Sequence, residues 1–368
     1  MSISSYKKYN ICLLSDQLAG GGAERCAANL SIFFENNDCR VTHIVVVDKI
    51  EYEHKGEIFN LGKLKNKSNS IFNKVKRLLA LNKFLNENNF DFIIDFRFKR
   101  FDIQEFILAR FIFNTKLIVT IHNFVLEWYF PKYDLLAKLI YKKGKIITVS
   151  DMINEQIVSK YNYKGVETIY NPVNFETITA MKDEIIPVND DFIIAVGRLQ
   201  SVKQLNVLIE AYSKSVLIEK NVKLIILGEG EEKSNLEALI HTLKLNDNVF
   251  LLGFQRNPYA YIKRARYLVL TSKNEGFPMV LIESLACETP VISFDLPSGP
   301  SEIIKHKENG LLVENQNMDL LIKAINDFYL DDNLYKSCKK NAIKSIEKFT
   351  FEQIGVKWLD LFNRMKKR

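Results

Sequence analysis

Short apolar runs recur along the whole chain with helical stretches between them, and this pattern restricts the fold more than any other feature. In the first half the runs are Ile11–Ser15, His43–Val47, Phe92–Asp95, Leu117–Ile121, Ile146–Val149 and Thr168–Tyr170. In the second half they are Phe192–Val196, Lys223–Leu227, Val249–Leu252, Tyr267–Thr271, Val291–Phe294 and Leu311–Val313. Runs rich in Ile, Val and Leu between helices are typical of parallel strands buried on both faces. Two such sets predict an α/β chain with two doubly wound, Rossmann-like domains.

The predicted domain boundary follows Asn171-Pro172-Val173, so one domain spans residues 1–173 and the other 174–350. The polar segment Glu176–Asn189 is interpreted as a linker, because its acids and its proline suit an extended connection. A final helix is predicted over residues 351–368, and its apolar face needs a surface to dock on. That face is formed by Trp358, Leu359, Leu361 and Phe362.

Composition points to a globular protein of the cytoplasm. The chain has 368 residues, 47% of them apolar, which suits two full cores. No apolar run approaches the roughly 18 residues of a membrane span. The five cysteines include no Cys-x-x-Cys pair and residues 1–8 lack a signal-peptide layout. Free thiols in a reducing cytoplasm are therefore expected.

The net charge of +7 lies mainly in the first half and the tail. Such asymmetry suits an acidic partner, although solvated surface lysines explain it equally well. Residues 58–86 contain bases but no acid, and Ile71, Phe72 and Val75 begin an apolar helical face there. This helix either lies on an anionic membrane surface or buries its apolar face in the domain core. The bases of Phe96–Phe101 add to the membrane hypothesis, while the absence of an RNA-binding motif argues against nucleic acid.

Two carboxylates lie eight residues apart in the stretch Ser272–Glu283, on either side of a Gly-Phe-Pro break. Pro278 suits the first turn of a helix, which places Glu275 in the preceding loop and Glu283 inside the helix. A helix start attracts anions, so acids beside it fit a ligand that carries both phosphate and hydroxyl groups, such as a nucleotide-sugar. An ordinary loop with a capping acid remains the alternative.

Basic and glycine-rich segments follow other predicted strands of the second half. Arg198 ends the first of them, and Lys203 lies near the next helix start, where both can hold a pyrophosphate. Gly228-Glu-Gly230 lacks the third glycine of a dinucleotide fingerprint and is also explained as a turn. Gly253-Phe254 either lets the backbone approach a base or forms a turn.

Two segments of the first half complete the candidate site. Gly20-Gly21-Gly22 precedes a predicted helix and permits close approach of a ligand, but it has neither dinucleotide spacing nor a Walker lysine. His122 ends a strand, where it can contact a sugar hydroxyl or serve as a structural histidine. No metal is expected, because the chain has no Asp-x-Asp sequence and no His/Cys cluster with ligand spacing.

Taken together, these segments resemble retaining glycosyltransferases of family four, which have the GT-B fold. The similarity extends over almost the whole chain and is strongest over 192–313, which includes Gly299-Pro300-Ser301-Glu302. It implies an N-terminal acceptor-binding domain, a C-terminal donor-binding domain and a final helix that crosses back onto the first domain. Gln204 departs from the family pattern, in which glycine commonly follows the lysine, so the turn conformation there stays open.

The resemblance also implies roles for the candidate residues. Arg198 and Lys203 would hold the diphosphate and Glu283 the ribose, while His122 and Glu275 would contact the transferred sugar. Further donor contacts are implied for Gly21, Gly22, Phe254, Gly276, Phe277, Pro278 and Met279.

The implied activity is transfer of a sugar, with retention, from a nucleotide-sugar such as a UDP-sugar. The expected acceptor is a glycan or an undecaprenyl-linked intermediate of bacterial surface polysaccharide synthesis. Cofactors, metal and nucleic acid are not expected, whereas peripheral contact with the inner face of the plasma membrane is. Two alternatives are a nucleotide-sugar epimerase of the same fold and a catalytically silent sugar-nucleotide binding protein.

Overall fold

The computed structural model describes residues 9–66, 70–99, 101–142, 144–163 and 165–367. The chain divides into two compact units, one formed by Met1–Pro172 with Phe351–Arg368 and the other by Val173–Thr350. Over the described ranges, every helix is too short or too polar to span a lipid bilayer. The predicted leader-free N-terminus, residues 1–8, lies outside the described residues.

The first unit contains a parallel sheet of seven described strands in the order β3-β2-β1-β4-β5-β6-β7. The strands are β1 (Asn10–Ser15), β2 (Arg40–Val45), β3 (Glu57–Asn60), β4 (Phe92–Asp95), β5 (Lys116–Ile121), β6 (Lys145–Thr148) and β7 (Val166–Thr168). The helices that connect them are α1 (Gly22–Asn36), α2 (Ile71–Asn88), α3 (Asp102–Ile107), α4 (Asp134–Tyr141) and α5 (Asp151–Tyr161). A π-helical turn, Leu108–Ile112, continues α3.

The second unit contains a parallel sheet of six described strands in the order β10-β9-β8-β11-β12-β13. Its strands are β8 (Phe192–Val196), β9 (Lys223–Leu227), β10 (Val249–Leu251), β11 (Leu268–Leu270), β12 (Val291–Phe294) and β13 (Gly310–Val313). The helices are α6 (Phe175–Met181), α7 (Leu205–Ser213), α8 (Lys233–Thr242), α9 (Pro258–Arg264), α10 (Met279–Ala286), α11 (Pro300–Ile303), α12 (Met318–Leu330) and α13 (Asp332–Ser345). The two doubly wound sheets confirm the predicted α/β fold class.

The last helix, α14 (Phe351–Lys366), packs on the first unit although it follows the second in sequence. Trp358 and Phe362 are buried in the first unit's core beside Phe34, with ring centroids 6.4 and 5.5 Å from Phe34. The Tyr9 hydroxyl donates a hydrogen bond to Asn363 Oδ1 at 2.7 Å. The apolar face seen in the sequence thus has its docking surface within this unit.

Three features differ from the sequence-based expectations. The strand β3 was not predicted, because it is only four residues long, lies at the sheet edge and is half-exposed. The predicted linker is wrong, since Glu176–Met181 lies in α6, where Ile178 is buried and the Met181 carbonyl accepts from Asn257 at 2.8 Å. The unit boundary falls between Pro172 and Val173.

Candidate functional site

The sheet order of the second unit fixes where a ligand site can form. The strands β8 and β11 are neighbours, yet the chain leaves them toward opposite edges of the sheet. Ligands of doubly wound folds bind outside the carboxyl ends of strands at such a switch point. Gly197-Arg198 follows β8, and Thr271–Gly276 follows β11, so both predicted segments lie at this switch point.

A lysine and a glutamate meet between these two strand ends. Lys203 Nζ lies 2.5 Å from Glu275 Oε1, and the two side chains are 21% and 14% exposed. Ser272 Oγ donates a second hydrogen bond to the same carboxylate oxygen at 2.7 Å. Arg198 is exposed. The structure therefore places a cation and a carboxylate, both named from the sequence, in one half-buried cluster.

The turn that carries Lys203 has the conformation expected of glycine. Gln204 has φ 47° and ψ 43°, in the left-handed region, and the helix α7 begins at the next residue. Thr271 Oγ1 lies 3.1 Å from the carbonyl oxygens of both Lys203 and Gln204. The glycine geometry is thus kept by a glutamine that Thr271 anchors, at a cost of about 1 kcal/mol.

The Gly-Phe-Pro segment before α10 packs against the loop that contains Ser298 and Gly299. Pro278 is the residue before the helix rather than part of its first turn, and a proline side chain provides no capping hydrogen bond there. Ser298 Oγ donates to the Gly276 carbonyl at 2.7 Å. A Cβ added to Gly299 would lie 2.4 Å from Pro278 Cδ. An uncapped helix start beside Met279, presented by a fixed loop, suits an anionic ligand group.

Glu283 lies one turn into α10, inside the helix as predicted, and is only 9% exposed. Phe277 is buried and packs edge-on against Phe349, with ring centroids 5.2 Å apart. Since its side chain points into the core, only the backbone of Phe277 is presented to a ligand. The two carboxylates have different surroundings. Glu283 lies inside the helix α10, whereas Glu275 lies in the preceding loop and contacts Lys203 and Ser272.

The glycines of the neighbouring strand ends serve chain packing. A Cβ on Gly228 would lie 1.9 Å from the Gly197 carbonyl oxygen, and one on Gly230 would lie 2.2 Å from that of Leu199. These glycines therefore let the loop after β9 pack against the loop after β8. Phe254 follows β10 and is 63% exposed, so its ring is accessible to a ligand.

In the first unit, the predicted glycine-rich segment joins β1 to α1. Gly20 has φ 72°, and Gly21 precedes the first helical residue, Gly22. A Cβ on Gly21 would lie 2.0 Å from Glu24 Oε2, so the glutamate side chain covers this end of α1. Space around Gly22 is open, since nothing lies within 4 Å of an added Cβ.

His122 directly follows β5, where the sequence placed it. Both ring nitrogens are buried and have no hydrogen-bond partner among the described residues, and the ring packs against Phe96 with centroids 5.5 Å apart. Burial lowers the pKa of this histidine to about 3, so the imidazole is neutral near pH 7. A neutral imidazole has one donor and one acceptor nitrogen, so His122 can hydrogen-bond a hydroxyl group that reaches it.

Four buried charges, the last residue of β4 and three residues that follow the strand, form a cluster that the sequence did not predict. Arg97 Nη2 lies 2.9 Å from Asp95 Oδ2 and 3.2 Å from Glu105 Oε2, and Lys99 Nζ contacts the same aspartate. The two bases hold the pKa of Asp95 at about 2 against the effect of burial. The membrane role predicted for Arg97 and Lys99 is wrong, because both side chains are buried in ion pairs, and Arg100 lies outside the described residues.

Potential metal ligands and cysteines were the remaining candidate groups in the described part of the chain. Within the described ranges, no group of three His, Cys, Asp or Glu side chains is arranged to hold a metal ion. All five cysteines are buried, free thiols.

Within the second unit the structure brings together Lys203, Glu275 and the loop before α10. Gly21, Gly22 and His122 belong to the first unit and are described there. Sequence reasoning missed Ser272, Thr271 and Ser298, which orient the site through hydrogen bonds. Short hydroxyl side chains near strand ends are too common for their partners to be identified from a sequence.

Comparison with protein families matches both halves of the chain. Residues 20–177 match "Glycosyltransferase Family 4", and residues 177–345 match "Glycosyl transferases group 1". The second match covers almost all of the second unit, whereas the first covers the first unit without β1 and α14.

A curated relative is similar over nearly its full length. N-acetylgalactosamine-N,N'-diacetylbacillosaminyl-diphospho-undecaprenol 4-alpha-N-acetylgalactosaminyltransferase of Campylobacter jejuni is 33% identical over 93% of this chain and 97% of its own length. The chain therefore resembles this relative over both units together and not only in one half.

Two solved structures share the fold. S. aureus TarM, a mutant in complex with fondaparinux, alpha-GlcNAc-glycerol and UDP, superposes with a TM-score of 0.76 at 18% identity, covering 96% of this chain and 100% of that one. Anabaena HepE in complex with UDP-glucose gives a TM-score of 0.75 at 18% identity, covering 98% and 99%.

Proposed function

The chain belongs to glycosyltransferase family 4, and from that membership we propose that it transfers a sugar from a UDP-sugar to a lipid-linked glycan with retention of configuration. The glycosyltransferase activity itself follows from the family. The donor, the acceptor and the stereochemistry are the proposal. The observation that carries it is the Lys203–Glu275 cluster at the switch point of the second unit.

The donor assignment rests on the chemistry of that cluster. Arg198 and Lys203 provide cations for a diphosphate, and the uncapped start of α10 adds backbone N–H groups. We assign Glu283 to the ribose and Glu275, with the backbone of Gly276–Met279, to the transferred sugar. Phe254 has an exposed ring that can stack on a base. UDP is favoured as the nucleotide because TarM and HepE, which share the fold, are described with UDP and UDP-glucose.

The proposed reaction needs no protein base. An acceptor hydroxyl attacks the anomeric carbon on the face of the leaving group, and the bond from that carbon to the diphosphate oxygen breaks. The hydroxyl proton passes to the departing phosphate oxygen. Lys203 and Arg198 stabilise the negative charge that develops there. Burial lowers the pKa of His122 to about 3, so this neutral imidazole is a poor acceptor for that proton.

The acceptor proposal follows the curated relative. The Campylobacter enzyme is named for a diphospho-undecaprenol acceptor, and the similarity covers almost all of both chains. We therefore assign this chain to bacterial surface polysaccharide synthesis at the cytoplasmic face of the membrane, where its free thiols stay reduced.

Transfer is tested by incubating the protein with UDP-sugars, with and without a lipid-linked saccharide, and analysing the product. Product formed only with acceptor, with retained configuration, is expected. An epimerised sugar formed from UDP-sugar alone would contradict transfer as the main activity.

Because the bases and the α10 start are proposed to replace a metal, EDTA should leave the rate unchanged. Loss of activity in EDTA and its return with Mg²⁺ or Mn²⁺ would refute that part.

A further inference from the structure

Trp128 is a large side chain that the first unit holds at its surface. It ends a short 3-10 helix, Leu126–Trp128, in the segment between β5 and α4. Leu126 and Tyr129 are fully buried, whereas Trp128 between them is 47% exposed. Its indole N–H has no hydrogen-bond partner among the described residues. One exposed aromatic residue is ordinary by itself, so the surroundings decide whether it has a role.

Two loops fix the position of this indole. The Lys99 N–H, in the loop after β4, donates to the Trp128 carbonyl at 2.8 Å, and the Trp128 N–H donates to the Val125 carbonyl at 3.2 Å. The ring of Phe98 meets that of Trp128 with centroids 5.5 Å apart and planes at 88°. The loop after β4 is itself anchored, because the side chain of Lys99 is buried in an ion pair with Asp95. A ligand that contacts Trp128 therefore has to immobilise little of the protein.

The pair Phe98 and Trp128 lies where ligands bind in this type of sheet. In the first unit β1 and β4 are neighbours from which the chain departs toward opposite edges, and β5 lies next to β4. Phe98 follows β4 and Trp128 follows β5, so both lie at the carboxyl ends of strands beside this switch point. The His122 N–H donates to Tyr129 Oη at 3.1 Å, which joins the start of the loop after β5 to its end. Trp128 thus shares one closed loop with His122.

The chemistry of this loop fits a sugar ring. One face of a pyranose exposes mainly C–H groups, which carry a small positive charge and stack on the negative face of an aromatic ring. Asn123 Oδ1 accepts from the Val125 N–H at 2.8 Å, while its Nδ2 has no partner among the described residues and can donate to a hydroxyl. Few fixed polar groups beside an aromatic ring are the usual composition of a small-ligand site.

A phosphate or a lipid fits the same place less well. Arg97 and Lys99 are nearby bases in sequence, but both are already paired with buried carboxylates. Glu127 next to Trp128 is exposed, with its carboxylate 2.7 Å from Lys160 Nζ. A carboxylate beside the indole disfavours an anionic ligand group and an apolar chain, but it can accept hydrogen bonds from sugar hydroxyls.

We propose that Trp128, supported by Phe98, is the side chain on which a sugar ring of the acceptor stacks. This rests on the proposed function and deepens it, because it assigns the saccharide part of the acceptor, rather than its lipid or its diphosphate, to one residue of the first unit. Trp128 binds and orients the acceptor and takes no part in proton transfer.

The fluorescence of the full chain tests saccharide binding directly. The chain contains two tryptophans, and Trp358 is only 2% exposed, so a ligand in solution reaches Trp128 alone. The probes are the methyl glycosides of N-acetylgalactosamine, N-acetylglucosamine, galactose and glucose. At least one of them should change the emission in a saturable manner. Trp128→Phe keeps a ring but no indole at this position, so its emission should not respond.

Acceptor kinetics test the role in the reaction. Trp128→Ala should raise the KM for the lipid-linked saccharide about tenfold or more, because truncation of an aromatic anchor weakens binding. The kcat and the Kd for UDP should stay near the wild-type values, and Trp128→Phe should recover most of the acceptor affinity. Since Trp128→Phe keeps an aromatic ring against Phe98, it still tests stacking if Trp128→Ala folds poorly. Phe72→Ala, at an 87% exposed aromatic residue of α2, is the control and should keep the wild-type KM for acceptor in detergent.

Three results would overturn the proposal: no glycoside changes the emission, Trp128→Ala keeps the wild-type KM for acceptor, or the emission shifts with saccharide-free vesicles of phosphatidylglycerol and phosphatidylcholine but not with glycosides. The last result would make Trp128 a membrane contact instead. A chain that binds UDP and transfers sugar without any effect at Trp128 refutes the stacking role alone. A chain whose Trp128 emission responds to glycosides, but which neither binds UDP nor transfers sugar, refutes the proposed function alone.

Discussion

At the scale of single residues, the two groups of ion-paired side chains differ in their exposure to solvent. Lys203 and Glu275 keep 21% and 14% exposure and are therefore partly accessible to a ligand. The cluster of Asp95, Arg97, Lys99 and Glu105 is almost fully buried, with every charge paired within it. Paired charges deep in a protein serve structure, whereas a half-buried pair can exchange partners with a ligand.

Replacement of Lys203 tests the diphosphate assignment. Lys203→Ala should raise the Kd for UDP about 10- to 100-fold, because a charged hydrogen bond to phosphate is lost. Calorimetric titration with UDP measures this. Lys273→Ala, at an exposed neighbour, is the control and should bind UDP normally. A Lys203→Ala, Glu275→Ala double variant with normal transfer would disprove the site assignment.

At the strained turn of Gln204, we expect glycine to be more stabilising than alanine, which is the reverse of the usual order. Gln204→Gly should be more stable than Gln204→Ala by about 1 kcal/mol, because only glycine adopts the left-handed region without a steric penalty. Chemical denaturation of the two variants measures the difference. At Gln200, which has φ −126° and ψ 151°, alanine should be the more stable of the same two substitutions. Equal stabilities at Gln204 would mean that the turn relaxes.

At the scale of elements, individual helices combine more than one role. The helix α2 buries Leu81 and Leu85 in the core while it exposes Phe72 and Leu79. The helix α14 has only one strongly apolar face, and that face completes the core of the first unit. Helical periodicity identifies apolar positions, but only the neighbouring elements determine whether a given apolar stripe has something to pack against.

The docking of α14 can be tested at its single glycine. A Cβ on Gly355 would lie 2.2 to 2.4 Å from ring atoms of the buried Phe33. Gly355→Ala should therefore destabilise the protein by about 1–3 kcal/mol, although alanine normally favours a helix. Urea denaturation measures the loss, and Phe33→Leu in the same chain should recover part of it. Gly22→Ala, which meets open space, is the control and should cause no loss.

At the scale of the whole molecule, each unit repeats one architectural rule. In both sheets the chain starts in the middle, builds outward to one edge and then crosses to the other side. The segments after β1 and β4 in the first unit and after β8 and β11 in the second unit are placed by this order. Loops far apart in sequence thereby become neighbours at a sheet edge, which is how Lys203 and Glu275 come into contact.

Stability of the whole molecule should fall in mild acid because of buried histidines. His43 is fully buried, and its pKa is lowered to about 3 by burial and, to a lesser extent, by His54. An unfolded histidine binds its proton near pH 6.5, so between about pH 6.5 and 3 the unfolded state holds more protons. Stability therefore decreases as pH falls through this window, by up to about 1.4 kcal/mol per pH unit.

Melting temperatures measured between pH 7.5 and 5 test this. The wild type should lose stability on acidification, and His43→Gln should show a shallower slope. The window lies above that of Asp95, whose stabilising contribution is lost only as its carboxylate is protonated toward pH 2. The matched control is His241→Gln, at an exposed position on α8, which should keep the slope of the wild type. A wild-type slope in His43→Gln would mean that His43 does not cause the loss.

Fold class, most strand positions and the candidate donor residues follow from the order of the amino acids. Buried parallel strands consist of consecutive apolar residues, so Phe92–Asp95, Phe192–Val196 and Lys223–Leu227 were predicted with the bounds that the structure has. The edge strand β3 has too few apolar residues to be recognised in this way. Motif residues such as Lys203 and Glu275 were recognised because their types and spacing resemble a family.

Which charges are accessible and which apolar faces are covered emerged only from the three-dimensional arrangement. Arg97 and Lys99 are surface bases by sequence, yet Asp95 and Glu105 bury them in ion pairs. Phe72 is a core candidate by periodicity, yet it is 87% exposed. Both outcomes depend on partners that are brought close by strand order and helix packing. A local pattern specifies the type of side chain at each position but does not specify what lies opposite it.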